Sequence, residues 1–323
     1  MKVKFWGTRG SLPGSFSQKI YHERLKRVLA LADKKDFSTE QAIEGFLESL
    51  PPELSTTCGT NTCCVEVDCD LNEYILCDAG TGIRDFAVDY MKRGLFKKPA
   101  VFHIFMTHLH WDHIQGFPFF TPIYIPGNKV IVHGYHHEMA NMFQNQMKPP
   151  CFPVFLEKLD AEVIFDIQPP CTPFQIGDLA ISSLQQYHPG ISYGYRFEHK
   201  GKSFVYSTDS EHTENSHYGS DPFIDFFDHA DLLVFDAMYS LADANINKVS
   251  WGHSSNIMAL KLAALAKVNH LLLFHHEPTR SDQELFEFLR DTEVYRQIYH
   301  RDKGLDDYPR KISLAYDGLV VNL

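Results

Sequence analysis

The sequence of 323 residues has no apolar run near the roughly 20 residues that a membrane-spanning helix needs. Its first residues alternate apolar and polar side chains as a strand does, without the apolar core of a signal peptide. The hydrophobic share of 44% and the charged share of 22% are ordinary for a globular protein. From these absences we expect a cytoplasmic protein without a membrane span.

Paired cysteines are also absent. Of the seven cysteines, five lie between Cys58 and Cys77, but no two of them form a CxxC pair. A zinc ribbon needs ligand pairs at fixed spacing, and this sequence lacks them. We therefore interpret the cysteines, including the adjacent Cys63 and Cys64, as reduced core residues.

Positive charge is scarce: 30 Lys and Arg face 41 Asp and Glu, which gives a net charge of −11. Proteins bind the phosphates of a nucleic acid through a basic surface, so we expect no extended nucleic-acid partner. A small anionic substrate remains compatible with this balance, because metal ions can neutralise it. The sequence leaves a homodimer open.

The apolar periodicity predicts an α+β protein. Short strands cluster early in each half of the chain and are followed by helices, which predicts two stacked sheets covered by helices. We expect one domain over residues 1–323, with a helical insertion at about residues 15–56. Ser38 with Gln41, and Ser281 with Glu284, have the spacing of a capping box and predict two helix starts.

The most informative motif is Thr107-His108-Leu109-His110-Trp111-Asp112-His113, which follows the apolar strand Val101–Met106. Four side chains that can bind a divalent ion occur within six residues. One rigid turn cannot bring all four to a single ion, but they can serve two neighbouring ions. The motif predicts a metal centre at the end of this strand.

This motif resembles the His-x-His-x-Asp-His signature of the metallo-β-lactamase superfamily, and further motifs of that superfamily follow in order. Asp78 looks like the aspartate that braces the metal-binding loop. His188 looks like the third histidine of the first metal site, and Asp209 like the aspartate that bridges both ions. His275, at the end of an apolar strand, looks like the last histidine.

The resemblance implies an αββα sandwich of two mixed β-sheets flanked by helices. It also implies two divalent ions about 3.5–4 Å apart. Ligands that are all nitrogen and oxygen favour Zn²⁺, with Mn²⁺ or Fe as alternatives. The implied ligands are His108, His110 and His188 for one ion, Asp112, His113 and His275 for the other, and Asp209 for both; Asp112 is also counted among the catalytic residues.

Two of these assignments have rivals in the sequence. His276 neighbours His275 and could exchange roles with it, but His275 directly ends the apolar strand. The position of His188 has several rivals, but His188 follows a strand and precedes Pro-Gly. The rivals are His133, His136, His137 and His199.

A further motif indicates the branch of the superfamily. Gly252-His253-Ser254 resembles an element of ribonuclease Z and its phosphodiesterase relatives, in which the histidine protonates the leaving oxygen. Asp236 looks like the carboxylate that orients this histidine and fixes its tautomer. An aspartate at position 209, rather than a cysteine, counts against a zinc β-lactamase.

Ribonuclease Z grips tRNA with an arm inserted between the third histidine and the bridging aspartate. Here only 20 residues separate His188 from Asp209, and they have the pattern of one hairpin. We therefore predict a phosphodiesterase that acts on a small, cyclic nucleotide or a related phosphodiester. The alternatives are a tRNA 3′-processing endoribonuclease and a regulatory module that binds a nucleotide without cleaving it. Arg9 and Asn61 could reach the site or could be structural loop residues.

Overall fold

Two seven-stranded sheets pack face to face in the computed structural model, which describes residues 1–35, 37–212, 222–241, 243, 250–303 and 307–323. The strand order is β14-β1-β2-β3-β4-β5-β6 in one sheet and β13-β12-β11-β10-β9-β8-β7 in the other. The strands are β1 Lys2–Gly7, β2 Cys64–Asp68, β3 Tyr74–Cys77, β4 Val101–Phe105, β5 Lys129–Gly134, β6 Glu162–Ile167, β7 Phe174–Ile176, β8 Leu179–Gln186, β9 Ser192–His199, β10 Lys202–Ser207, β11 Leu232–Asp236, β12 His270–Phe274, β13 Lys311–Leu314 and β14 Val320–Asn322.

Both sheets are mixed in the same way. Antiparallel pairs join β14, β1, β2 and β3, whereas β3, β4, β5 and β6 run parallel. In the second sheet, β7, β8, β9 and β10 pair antiparallel, and β10, β11, β12 and β13 run parallel. The predicted sandwich of two mixed sheets is confirmed.

Helices cover the outer faces of the two sheets. In the first sheet, Ile83 and Phe86 of α4 pack on Phe102 and Ile104 of β4. The described helices are α1 Gln18–Leu31, α2 Glu40–Ser49, α3 Pro52–Ser55, α4 Gly82–Lys92, α5 Trp111–Ile114, α6 Met139–Gln146, α7 Pro222–Phe227, α8 Asn256–Leu265 and α9 Asp282–Lys303, with single 3₁₀ turns at Leu95–Lys97, Phe117–Phe119, Thr121–Tyr124 and Leu156–Lys158.

The space between the sheets is filled by aromatic side chains. Phe5 and Phe105 of the first sheet and Tyr195, Phe204 and Phe274 of the second are fully buried in one cluster. Burying an aromatic or large aliphatic side chain contributes about 1.5–3 kcal/mol, so this layer fixes how the two sheets sit on each other. The strand ends that carry the predicted metal ligands are thereby held in place.

The predicted helical insertion contains α1, α2 and α3. No residue of α1 or α2 is buried, and α1 is tied to the body by Arg24, which donates to Asp282 at 2.5 Å and to the Thr56 carbonyl at 2.9 Å. No helix within the described ranges has the length and apolar character that a membrane crossing requires. The division into one domain with an insertion stays a prediction.

One predicted helix start is wrong. The side chain that caps α2 belongs to Thr39, which accepts from the Ala42 N–H at 3.1 Å, and not to Ser38. Ser38 and Thr39 are both good caps in sequence, and only the backbone angles choose between them. The second capping box is confirmed, because Ser281 Oγ accepts from the Glu284 N–H at 3.3 Å, and Glu284 accepts from the Ser281 N–H at 2.7 Å.

Candidate metal centre

The predicted ligands lie at one edge of the sandwich, where parallel strands end. Asp78 follows β3, the motif 107–113 follows β4, and Asp209 comes two residues after β10. Asp236 is the last residue of β11, and His275 directly follows β12. The carboxyl ends of neighbouring parallel strands open on the same side of a sheet, so residues far apart in sequence meet there.

Three of these residues have left-handed backbone conformations. Asp78 has φ 62°, Asp209 φ 54° and His275 φ 58°. Residues other than glycine rarely adopt positive φ, and such strained positions cluster at functional sites. The tight bend at each strand end turns the chain sharply, and all three side chains belong to the buried cluster at this edge.

The first half-site consists of His108, His110 and His188. Their ligand nitrogens lie within 4.8 Å of one another. His188 Nε2 lies 3.1 Å from His110 Nδ1, and the ring centroids of His108 and His110 are 4.5 Å apart. The ring of His188 is oriented from behind, because its Nδ1 donates to the Gly252 carbonyl at 2.8 Å.

The second half-site consists of Asp112, His113 and His275. Asp112 Oδ2 lies 3.3 Å from both His113 Nε2 and His275 Nε2. The Ser11 N–H donates to the same oxygen at 2.7 Å and holds the carboxylate. Separations slightly above 3 Å between ligand atoms fit a small divalent ion bound to each of them at about 2.0–2.2 Å.

Asp209 lies between the two half-sites. Its Oδ2 is 3.2 Å from His113 Nε2, and its Oδ1 is 3.3 Å from His275 Nε2. Oδ1 is also 3.8 Å from the Nε2 atoms of His108 and His188 in the first half-site. The carboxylate is thus the group that could touch both ions.

The charge states suit cation binding. Burial lowers the pKa of His108 well below its usual range and also lowers the pKa of His188, which leaves neutral imidazoles with a free lone pair. Burial opposes ionisation of Asp209, but the histidines around it, His275 first, outweigh burial and hold the pKa of that carboxyl well below its usual range. Asp112 is likewise held ionised against burial, chiefly by His113.

Two buried nitrogens support a metal ion directly. His108 Nε2 and His113 Nε2 have no hydrogen-bond partner among the described residues, although both rings are buried. An unsatisfied buried polar atom costs about 1–3 kcal/mol. Both atoms face Asp209, so one divalent ion on each side of that carboxylate would satisfy them. The residues present therefore fit two ions.

Asp78 braces the motif, as its resemblance implies. One carboxylate oxygen accepts from His113 Nδ1 at 2.8 Å, and the other accepts from the Thr107 N–H at 2.8 Å. The Tyr206 hydroxyl donates at 3.0 Å to the same oxygen that accepts from His113. A carboxylate behind a ligating imidazole fixes its tautomer and orientation.

His253 lies between the half-sites, where a ring nitrogen is within 4.8 Å of ligand atoms of His188 and Asp209 on one side and of Asp236 and His275 on the other. Its Nδ1 is 2.8 Å from Asp236 Oδ2, and its ring centroid is 5.2 Å from that of His188 and 4.9 Å from that of His275. Asp236 is fully buried and also accepts from the Ser210 N–H at 3.3 Å. The Nδ1 atom of His253 is thus held by Asp236, and Nε2 is its second ring nitrogen.

Two contributions were missed by the sequence reasoning. Glu211 accepts from the N–H groups of Ser250 and Gly252, each at 2.9 Å, and so holds the loop that carries His253. The Ser11 N–H that holds Asp112 was missed as well. The only signal for Glu211 was its position two residues after Asp209, because its partners lie some 40 residues away in sequence.

The rival residues lie elsewhere. His276 Nε2 donates to the Ala315 carbonyl at 2.8 Å, and His133 Nδ1 pairs with Asp166 at 2.8 Å. Arg9 is a structural loop residue: it donates to the carbonyls of Gly59, Glu277 and Arg280. Asn61 likewise donates to the Trp6 carbonyl and to Asp85, and His136 and His199 pair with the Ile191 carbonyl and with Asp178.

Comparison with known proteins agrees with this geometry. A family model described as a β-lactamase superfamily domain matches residues 73–276. Ribonuclease Z of Prochlorococcus marinus (strain MIT 9301) is 26% identical over 260 residues, which are 64% of this chain and 79% of that protein. Ribonuclease Z of Streptococcus suis (strain 98HAH33) is 25% identical over 291 residues, 74% of this chain and 90% of that protein. The metallo-β-lactamase fold protein YhfI from Bacillus subtilis superposes with a TM-score of 0.61 at 17% identity, covering 99% of both chains.

Proposed function

This chain belongs to the β-lactamase superfamily and is a metal-dependent hydrolase, and on that premise we propose that it cleaves a small phosphodiester, with cyclic nucleotides as the leading substrate class. The proposed ligands are the two half-sites and Asp209 between them. Zinc is the ion that best matches a buried set of imidazoles and carboxylates, with manganese or iron as alternatives. When bound, two such ions would activate a water and neutralise the phosphate.

The pair of His253 and Asp236 carries the proposal. Hydrolysis of a diester leaves an alkoxide, and an acid near the departing oxygen lowers the barrier. Asp236 accepts from Nδ1 of His253 at 2.8 Å, so the second ring nitrogen, Nε2, is the one that could carry a proton to the departing oxygen. A protein that only binds a nucleotide has no need of such an acid, which counts against the regulatory module.

The loop around His253 connects the acid to the ligands. Gly252, directly before His253, accepts from His188 through its carbonyl and donates to Glu211 through its N–H. A displacement of this loop would move the acid and a first half-site histidine together. The backbone that orients His188 therefore also positions His253, the proposed proton donor.

A small substrate fits the surface better than a tRNA. The chain between His188 and Asp209 is β9 and β10, a plain hairpin paired from Lys202 with His199 to Tyr206 with Tyr195. It contains no inserted arm of the kind that ribonuclease Z uses to grip tRNA. The net charge of −11 offers few cations for a polyanion.

A second candidate, a tRNA 3′-processing endoribonuclease, has a specific observation in its favour. The relatives from P. marinus and S. suis, which match 64% and 74% of this chain, are named ribonuclease Z. The same acid and the same metal centre would serve either substrate. Only the surface beyond the centre separates the two candidates.

The deciding experiment uses protein of known metal content on three classes of substrate: cyclic nucleotides (2′,3′ and 3′,5′), the model diester bis(p-nitrophenyl) phosphate, and a precursor tRNA. The Asp209→Ala variant serves as the inactive control, and salt is varied for each substrate. We expect cleavage of a cyclic nucleotide or the model diester with a shallow salt dependence of kcat/KM, and little cleavage of the tRNA.

The salt dependence distinguishes the candidates. Neutralising the phosphates of a tRNA releases counterions, which gives a log–log slope of about −0.7 to −0.9 per contact. Efficient tRNA cleavage with a steep slope would replace the proposal with the endonuclease. Tight nucleotide binding without turnover by the metal-loaded protein would replace it with the regulatory module.

A further inference from the structure

Cys63 is a buried cysteine beside the second half-site that no step of the proposed chemistry uses. It precedes β2 and is fully buried in the core between the sheets. Its sulfur lies within 4.8 Å of a ring nitrogen of His113 and of a ring nitrogen of His275. The sequence predicted a core thiol at this position, so its place beside two proposed ligands is new.

Gly10 makes this approach possible. The segment before Gly10 runs along the loop that precedes β2, with the Arg9 N–H donating to the Asn61 carbonyl at 2.9 Å, and on its other side the Gly10 N–H donates to the His276 carbonyl at 2.9 Å. A Cβ at Gly10 would lie 2.4 Å from Nδ1 of His275, well inside contact distance. Because the glycine has no side chain, the imidazole of His275 can lie against this stretch of backbone, whose Arg9 carbonyl is the partner of the Cys63 thiol.

The imidazole of His275 has one nitrogen without a conventional partner. Its Nε2 faces Asp112 and Asp209, each at 3.3 Å, and is the nitrogen positioned to bind an ion. Its Nδ1 is buried and has no hydrogen-bond partner in the described part of the chain. By contrast, Nδ1 of His113 has the Asp78 carboxylate and Nδ1 of His188 has the Gly252 carbonyl.

We infer that Cys63 is a positioning residue for His275: its sulfur lies beside the ring, short of full hydrogen-bond geometry, and would act as the weak acceptor for the Nδ1–H, which is otherwise unpartnered among the described residues. The thiol donates its own proton to the Arg9 carbonyl at 3.5 Å, which leaves the sulfur lone pairs free to accept. Sulfur is a weak acceptor, but it tolerates the apolar surroundings of this core. The contact would keep Nε2 aimed at the second ion, as Asp78 does for His113.

Ion binding tests this directly. Zn²⁺ and Co²⁺ affinities are measured by chelator competition for the wild type and for Cys63→Ala, Cys63→Ser and Cys64→Ala. Cys64 is the matched control, since it is equally buried but packs under α4 on the opposite face of the sheet. The inference rests on the proposed two-ion centre but not on its substrate, so a failed diester assay would leave this test unaffected.

We expect Cys63→Ala to weaken one of two ions about 10- to 100-fold, the usual effect of removing an outer partner of a metal ligand. Cys63→Ser, which restores an acceptor, should recover most of the affinity, and Cys64→Ala should bind as the wild type does. The Co²⁺ protein should lack the near-ultraviolet band of a thiolate ligand. A thiolate band would make Cys63 a direct ligand and overturn the inference.

Two further results would also overturn it. Wild-type affinity in Cys63→Ala would make the cysteine a core residue only. Should Cys63→Ala fail to fold, loss of the second ion from folded Cys63→Ser would be equally decisive, because the serine supplies the acceptor that the inference requires.

Discussion

The two halves of the candidate centre are held by different forces. In the first half-site, His110 is exposed and His188 is held by a loop carbonyl, that of Gly252. In the second, Asp112 and His113 are buried, and the Asp78 carboxylate stands behind the histidine. The first half-site depends on loop geometry, whereas the second depends on buried charge.

Their protonation differs accordingly. Burial lowers the pKa of His108 and of His188, which favours the neutral form of these rings before any ion binds. Burial would also lower the pKa of His113, but Asp112 and Asp209 outweigh it and raise that pKa. The buried carboxylates of the second half-site thus favour a positive charge beside them, which protons or a divalent ion can supply. We therefore expect the two ions to respond differently to the same kind of substitution.

The largest effect should come from the residue that the halves share. Because Asp209 lies within 3.3 Å of His113 and His275 and 3.8 Å from His108, Asp209→Ala should reduce bound metal from about two ions per chain to well under one. Elemental analysis of the purified protein measures this. Asp178→Ala, an exposed carboxylate paired with His199, is the control and should keep both ions. Two ions retained in Asp209→Ala would mean that this carboxylate bridges nothing.

His253 borders both halves and should bind neither ion. His253→Ala should keep its metal but lose about 10²- to 10⁴-fold in turnover of diesters with poor leaving groups, the usual contribution of a general acid. The loss should shrink for p-nitrophenyl esters, whose leaving group needs little protonation. Asp236→Asn should show a milder version, because it removes the negative charge beside Nδ1 but keeps an amide oxygen that can accept from it. An equal loss on both kinds of ester would remove His253 from this role.

A substitution at Asp78 should affect the second half-site more than the first, because Asp78 contacts His113. Asp78→Asn should weaken the second ion about 10- to 100-fold through His113, and it should leave the first ion unchanged. Sequential titration with a chromogenic chelator separates the two affinities. Equal weakening of both ions would mean that the brace acts on the whole loop through Thr107 rather than on one histidine.

The residues in the centre could be predicted from the sequence to the extent that they belong to local patterns. The motif 107–113 follows an apolar strand, and His275 ends another, so a strand boundary was enough to favour it over His276. The geometry agrees, since His275 Nε2 faces Asp112 while His276 pairs with a carbonyl. The ligand set itself stays a prediction until ions are measured.

The supporting contacts could not be predicted, because each joins residues distant in sequence. Glu211 and the loop at Gly252 meet only once β10 and the start of α8 are in place. Cys63 looks like any buried cysteine until the fold places it beside His113 and His275. Short strands also escaped prediction: β7 and β14 have three residues each, too few for a pattern to register.

The smallest expected effect concerns only the first half-site, in which the Gly252 carbonyl holds His188. Gly252 has φ +85°, and a Cβ there would lie 2.3 Å from His188 Nδ1 and 2.4 Å from Pro189 Cδ. Gly201 has φ +73°, but a Cβ there meets nothing within 4 Å. Substituting alanine at either position should therefore lower the free energy of unfolding by about 1–2 kcal/mol, because a residue with a Cβ is strained in a left-handed conformation.

Only Gly252→Ala should also disturb a ligand, because the new methyl group displaces His188 from the Gly252 carbonyl. We expect Gly252→Ala to weaken the first ion while the second stays bound, and Gly201→Ala to bind both ions as the wild type does. Thermal unfolding measures the shared backbone effect, and chelator titration measures the specific one. If both variants bound both ions normally, the carbonyl of Gly252 would not orient His188, and the first half-site would owe its geometry to the histidines alone.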